Sequence, residues 1–308
     1  MALPPEVKEL AARVRNWGRW GDDDEIGTLN LITDDVVKAA AAEIATGRRL
    51  SLGLPLDDQG PQTGAIPGRD NPTHEMIMVD MPLTGDPANF TTSDDKVALA
   101  LQAATHWDAL AHVSYEGKLY NGVPSSVITE SGAEHMGIDK IRTLVGRGVL
   151  LDVAAAKGVD SLEGGYALTG EDLDAACEFG KVAVRAGDVV LIRTGQMRWF
   201  LAGDRARYGT PAAGPSLQTV EWFHRHDVAA VATDNLTFEV YPSEREDAVL
   251  PVHLLHLVDM GMTQGQNWYL EDLSGDCAGD GRYSFFLDAS PLPFTHAVGS
   301  PLNPVVVK

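Results

Sequence analysis

From about residue 145 to the C-terminus, short apolar runs alternate with segments that open on helix-capping residues. Val149-Leu150-Leu151-Asp152-Val153 reads as a short buried strand, after which Thr169 caps a helix from Glu171 to about Phe179. Gly187-Asp188 then turns the chain into a second strand, Val189-Val190-Leu191-Ile192-Arg193. Ser216 to His224 reads as a helix and Val228 to Asp234 as another buried strand. His253 to Met260 has helical character, Tyr283 to Leu287 is a strand, and a Pro-rich tail ends in Pro304-Val305-Val306-Val307. Alternation of this kind specifies an α/β architecture.

The N-terminal part is less regular. Thr33 can cap a helix over about Asp34 to Ala45, with two acids in its first turn, and Gly47 and the arginines beside it mark the end. Leu54 to Pro87 is rich in Gly, Pro and Asp and reads as long surface loops with one strand, Met76 to Val79. Loops this long inside a compact chain are more often functional than idle. Lys96 to Gln102 alternates large with small or polar residues, which suggests a strand leading directly into the segment at His106. No internal repeat or low-complexity linker interrupts the chain. The expectation is one domain over 1–308 with an N-terminal extension of about residues 1–50.

Composition excludes several classes. The 44 acidic against 24 basic residues give a net charge of −20, which repels phosphate backbones and argues against a nucleic-acid partner. Only two cysteines are present, Cys177 and Cys277, so neither a disulfide framework nor a cysteine zinc site is expected. No uncharged apolar run approaches the ~20 residues that span a bilayer, and the first fifteen residues lack a signal-peptide core. A cytoplasmic location follows by default.

The chemistry concentrates in Thr105-His106-Trp107-Asp108-Ala109-Leu110-Ala111-His112. If this segment is extended, His106 and Asp108 project to one face and Trp107 packs into the core on the other. An imidazole beside a carboxylate makes a metal platform; a buried hydrogen-bonded pair is the plainer alternative. His112 is either a third ligand or a general base acting on water. A second group is His253, His256 and Gln266; on a helix the two histidines share a face, with one core and one surface histidine as the alternative. His224-Arg225-His226 reads as a solvated helix end, and His74 and His135 lie in loops. Neither a strained nucleophile turn around Ser114, Ser125 or Ser126 nor a phosphate loop at Gly164-Gly165 is present.

The arrangement Thr105-His106-x-Asp108-x-x-x-His112 resembles the core of the cyclase-like metal hydrolases, which include bacterial kynurenine formamidase and isatin hydrolase. Asp24 to Asn30, Gly187 to Gly195 and Gly299 to Pro304 resemble the longer members of that family. The resemblance implies a swivelling β/β/α fold: a mixed or small barrel-like sheet with peripheral helices. It also implies one divalent metal, Mn²⁺ or Zn²⁺, with His106, Asp108 and Gln266 as ligands. His112 occupies the catalytic histidine position, and His253 a downstream catalytic one. Where the family's usual pattern has His, Gly and Pro, this chain has Gln102, Ala104 and Leu110, and the downstream carboxylate position holds Gln266. Two strong ligands replaced by carboxamides favour a one-metal over a two-metal centre.

The implied activity is hydrolysis of a C–N bond in a small cyclic amide or imide, or in an aryl formamide, with metal-activated water and a histidine general base. The alternatives are a non-catalytic metal- or ligand-binding member of the fold, or a metal-dependent lyase or dehydratase. Trp17, Trp20 and Phe90 are candidates to line an apolar pocket for a flat substrate. The expected partners are a small-molecule substrate and further copies of the chain, as a homodimer or homotetramer, with neither nucleic acid nor membrane.

Overall fold

The computed structural model describes residues 3–308. Its centre is a nine-stranded mixed sheet. In chain order the strands are β1 (Arg49–Ser51), β2 (His106–Asp108), β3 (Val145–Asp152), β4 (Val189–Arg193), β5 (Ala230–Thr233), β6 (Thr263–Gln266), β7 (Ser284–Asp288), β8 (Gly299–Pro301) and β9 (Val305–Val307). Across the sheet they run β1-β9-β7-β3-β4-β5-β6-β2-β8. The central four, β3 to β6, are parallel, and every other pairing is antiparallel.

Chain connectivity forces this sheet to curl. β8 and β9 lie seven strand positions apart, yet only residues 302–304 join them. In a flat sheet seven spacings would span about 34 Å. The connector reaches about 14 Å at full extension. The strands therefore wrap into a half-barrel. Backbone bonds tie its two edges: Leu52 N donates to Pro304 O at 2.8 Å, Leu302 N to Thr105 O at 3.2 Å, and Tyr269 N to Leu52 O at 2.9 Å.

Alternation along the central strands divides the core into two layers. Val149, Leu151, Val190, Ile192 and Val231 face outward and pack under helices α1 (Pro5–Val14), α3 (Gly170–Gly180) and α4 (Leu217–Arg225). Leu150, Leu191, Ala230 and Ala232 face inward, where Trp107, Trp268, Phe285 and Val306 fill the half-barrel. α1 docks through Val7, Leu10, Ala11 and Val14, an i, i+3, i+4, i+7 stripe. Full burial of a side chain such as Leu10 contributes about 1.5–3 kcal/mol.

The mixed, barrel-like sheet with peripheral helices matches the expected α/β class, and the expected caps are in place. Thr33 accepts from Val36 N at the start of α2 (Asp34–Ala40), Ser216 accepts from Gln218 N, and Thr169 forms a reciprocal capping box with Asp172. Four boundaries differ from the sequence reading. The helix from Asp34 tightens to a 3₁₀ turn over Ala41–Glu43 instead of continuing to Ala45. The strand at Met76–Val79 extends over Thr73–Pro82 and pairs antiparallel with Thr91–Ala98. The strand read over Lys96 to Gln102 therefore ends at Ala98 and belongs to that hairpin; turns and bends over 101–105 separate it from β2. The segment at His253 starts earlier, as helix α5 (Pro251–Leu254), and continues as a π-helical stretch, Leu255–Met260. Gly261 ends it at φ +64°, where a Cβ would strike the Tyr120 ring. Among the described residues no helix is long and apolar enough to cross a membrane.

Candidate metal centre

β2 is only three residues long, but it is held on every side. Gln266 and Gln264 of β6 stand opposite His106 and Asp108, and Pro301 and Gly299 of β8 stand opposite the same two residues on the other edge. Thr263 Oγ1 donates to Asp108 O at 2.6 Å. Asn267 Nδ2 donates to Ala104 O at 3.1 Å, while Asn267 O accepts from Thr105 Oγ1 at 2.6 Å. Trp107 turns to the opposite face, donates its indole N–H to Ala289 O at 2.8 Å and packs edge-on against Trp268. The extended reading of this segment is what the structure shows, with His106 and Asp108 on one face.

His106 Nδ1 lies 2.7 Å from Ala104 O, so it carries the proton and donates it there. That leaves the Nε2 lone pair facing Asp108 Oδ1 at 3.4 Å. Both atoms are buried and neither has a hydrogen-bond partner. Two buried acceptors facing each other repel unless a cation lies between them. Two donors bound at about 2.1 Å in tetrahedral geometry stand about 3.4 Å apart, so the separation fits a shared metal ion. Burial works to raise the Asp108 carboxyl, while any positive charge on the His112, His106 and His253 imidazoles around it draws it below the ordinary carboxylate range.

His112 Nε2 stands 3.7 Å from Asp108 Oδ1. With 19% of its side chain accessible, against 1% for His106 and none for Asp108, it occupies the mouth of the site. Burial, followed by the charges of His253, His106 and Arg69, outweighs Asp108 and lowers the imidazole below its ordinary value. At neutral pH it is a free base.

From the opposite side comes Gln266, whose Nε2 donates to Asp108 Oδ2 at 2.7 Å and lies 3.3 Å from His253 Nε2. The sequence reading gave Gln266 an oxygen-donor role; as placed, it turns its amide nitrogen to both neighbours. Ligation would use the other end of the same carboxamide. Among the described residues no three His, Cys, Asp or Glu side chains converge as a ready-made cage, so the residues that could hold a metal are His106 and Asp108, with a carboxamide rather than a second carboxylate beside them.

The downstream histidines part company. His253 is buried and its Nδ1 lies 2.6 Å from Glu239 Oε1. His256 points away, its Nδ1 near Gln264 Oε1 at 3.2 Å and its ring edge-on to Phe223 and Phe238. Burial pushes His256 down to about 3, so it is neutral. Glu239 carried no sequence signal, because it is fourteen residues from its partner and sits in no motif. Of the remaining histidines, His74 pairs with Asp95 across the hairpin, His135 with Glu25, His226 with Trp222 O and His296 with Ala133 O. Trp17 packs beside the cluster containing Leu110 and Ala111, Trp20 stacks with Arg19, and Phe90 sits exposed at the hairpin turn.

Residues 50–240 match the cyclase family, a span that includes His106, Asp108, His112 and Glu239 and stops short of His253 and Gln266. A solved structure described as a novel cyclase is 41% identical, with a TM-score of 0.87 over 96% of this chain and 99% of its own. Isatin hydrolase A from Labrenzia aggregata shares the fold at 20% identity, with a TM-score of 0.64 over 88% of this chain and 98% of its own. A "predicted metal-dependent hydrolase" from Bacillus stearothermophilus shares it at 16% identity, with a TM-score of 0.52 over 85% of this chain and 98% of its own. A search of curated proteins finds no match. The matched span and the 41% identity over nearly the whole chain place this protein in the cyclase family.

Proposed function

We propose that this protein is a metal-dependent hydrolase of a C–N bond in a small cyclic amide or imide, or in an aryl formamide. The observation that carries the reading is the pair of facing, unpartnered acceptors, His106 Nε2 and Asp108 Oδ1, beside a neutral histidine at the mouth of the same site. A divalent ion, Mn²⁺ or Zn²⁺, held by His106 and Asp108 with the Gln266 carboxamide, would polarise a carbonyl and acidify water there. In this reading His112 takes the proton from the attacking water and returns one to the leaving nitrogen. His253, fixed by Glu239, presents its Nε2 lone pair to the Gln266 amide and orients it. With two carboxamides where the family pattern has stronger ligands, a one-metal centre is the form these residues support. The test is turnover of isatin, phthalimide and N-formylaniline by protein loaded with Mn²⁺ or Zn²⁺. Inertness on all three, with metal bound, defeats the proposal.

The same reading includes a homodimer or homotetramer in the cytoplasm. The hairpin of Thr73–Pro82 and Thr91–Ala98 supports the assembly: Ile77, Val79, Met81, Leu83 and Phe90 on it are all exposed. An extended ribbon with that much open apolar surface is an association site, and a second copy of the chain is the proposed occupant.

A further inference from the structure

Arg69 differs from the other cations set into this fold. Arg147 and Arg193 are buried and each bonds two carboxylates: Arg147 with Glu43 and Asp188, Arg193 with Asp152 and Glu271. Arg69 is half-buried, yet among the described residues its guanidinium has no carboxylate within 4.0 Å and no hydrogen-bond acceptor. Burial lowers its pKa from the ordinary value, and the charge that works against this is that of Asp108. His112 feels the same guanidinium. An unpaired cation in such a place is costly unless something anionic arrives.

Its position is built rather than incidental. Arg69 N donates to Ile66 O at 3.1 Å, closing a turn within the long loop after β1. Asn71 clamps that loop by accepting from Gln62 N at 2.9 Å and donating to Gln62 O at 3.2 Å. Gln62 Nε2 in turn donates to Ala103 O at 2.7 Å, three residues before His106. The loop that carries Arg69 is thus stapled to the segment that carries the metal ligands. A second unsatisfied donor lies on the segment so stapled: Gln102 Nε2 is buried without a partner against Gly299, which stands opposite Asp108.

We infer that Arg69 is a substrate-binding residue that pairs with a carboxylate, so that the site takes substrates whose reacting acyl group leaves as, or lies beside, a carboxylate. This rests on the hydrolase reading above. In that reaction water adds its oxygen to the carbonyl carbon, the C–N bond breaks, the nitrogen leaves with a proton, and the new acid ionises to a carboxylate. Arg69 supplies the planar pair of N–H donors that such a group accepts. Gln102 adds a neutral donor for a neighbouring carbonyl oxygen.

The experiment uses the manganese-loaded protein and two probes: 2-carbamoylbenzoate, the ring-opened product of phthalimide, and uncharged phthalamide. Their binding to wild type, Arg69→Gln and Arg69→Lys is measured by calorimetry, alongside phthalimide turnover. Arg69→Gln is expected to weaken the carboxylate by about 10-fold or more, to leave the amide within a factor of about 2, and Arg69→Lys to fall between. Unchanged carboxylate binding in Arg69→Gln, an equal loss for both probes, or no carboxylate binding by wild type overturns the inference. Turnover of phthalimide with Arg69-independent binding removes Arg69 and leaves the hydrolase reading standing. Selective loss of the carboxylate in a protein that turns over no imide or formamide removes the hydrolase reading instead.

Discussion

Glu239 holds His253 at two atoms at once: Oε1 lies 2.6 Å from the ring Nδ1 and 2.8 Å from the same residue's backbone N. Oε2 accepts from Val252 N at 3.0 Å, so the carboxylate also caps the first turn of α5. The ring is thereby fixed with Nδ1–H donating and the Nε2 lone pair directed at Gln266. Glu239→Gln keeps the shape but removes the charge that selects this tautomer. We expect kcat or metal affinity to fall by about 10–100-fold while the circular dichroism spectrum is retained. An activity and metal titration indistinguishable from wild type would show that the pair is purely structural.

Metal binding should be read directly in stability. If His106 and Asp108 share an ion, free metal at a hundred times its Kd stabilises the fold by about 2.7 kcal/mol, and Tm rises. In His106→Ala the rise should vanish, and elemental analysis should return no stoichiometric metal. Asp108→Asn should behave the same way, because its Oδ1 is the other half of the 3.4 Å pair. Retained stoichiometric metal in both variants would put the ion elsewhere.

The pH profile tests His112. Burial holds its pKa below 6.5, and a cation nearby pushes it further down. A base works only when deprotonated, so activity is full above that lowered pKa and lost as pH falls through it. The acidic limb of kcat/KM should therefore lie below pH 6.5. His112→Gln should lower kcat by roughly 10²–10⁴-fold and remove the limb. A limb at or above pH 6.5, or one that persists in the variant, is incompatible with His112 as the base.

Some of this was legible in the sequence and some was not, for physical reasons. β4 is legible to both ends, because Gly187-Asp188 punctuates a run of five apolar or buried residues. Thr169, Ser216 and Thr33 announced their helices because capping is local. The side-chain directions of His106, Trp107 and Asp108 followed from the period of a strand. Glu239, Arg69 and the direction of the Gln266 amide depend on contacts across long stretches of chain, which no local pattern encodes. The alternation at Lys96 points towards the site for a related reason: it reflects pairing with Thr73–Pro82, not membership of the main sheet.

That hairpin yields the last prediction. Its two strands pair with each other, and Ile77 and Val79 are 58% and 70% exposed, values that a lone ribbon in water does not favour. If a second copy covers them, wild type measured by light scattering should have the mass of a dimer or tetramer. Ile77→Asp with Val79→Asp places two carboxylates in that contact, and burying them without partners is unfavourable. The doubly substituted protein should elute at the 33.0 kDa of one chain. Because both side chains already face solvent in the single chain, its Tm as a monomer should not fall below that of dilute wild type. Wild type that is monomeric at micromolar concentration would mean that the ribbon serves something other than self-association.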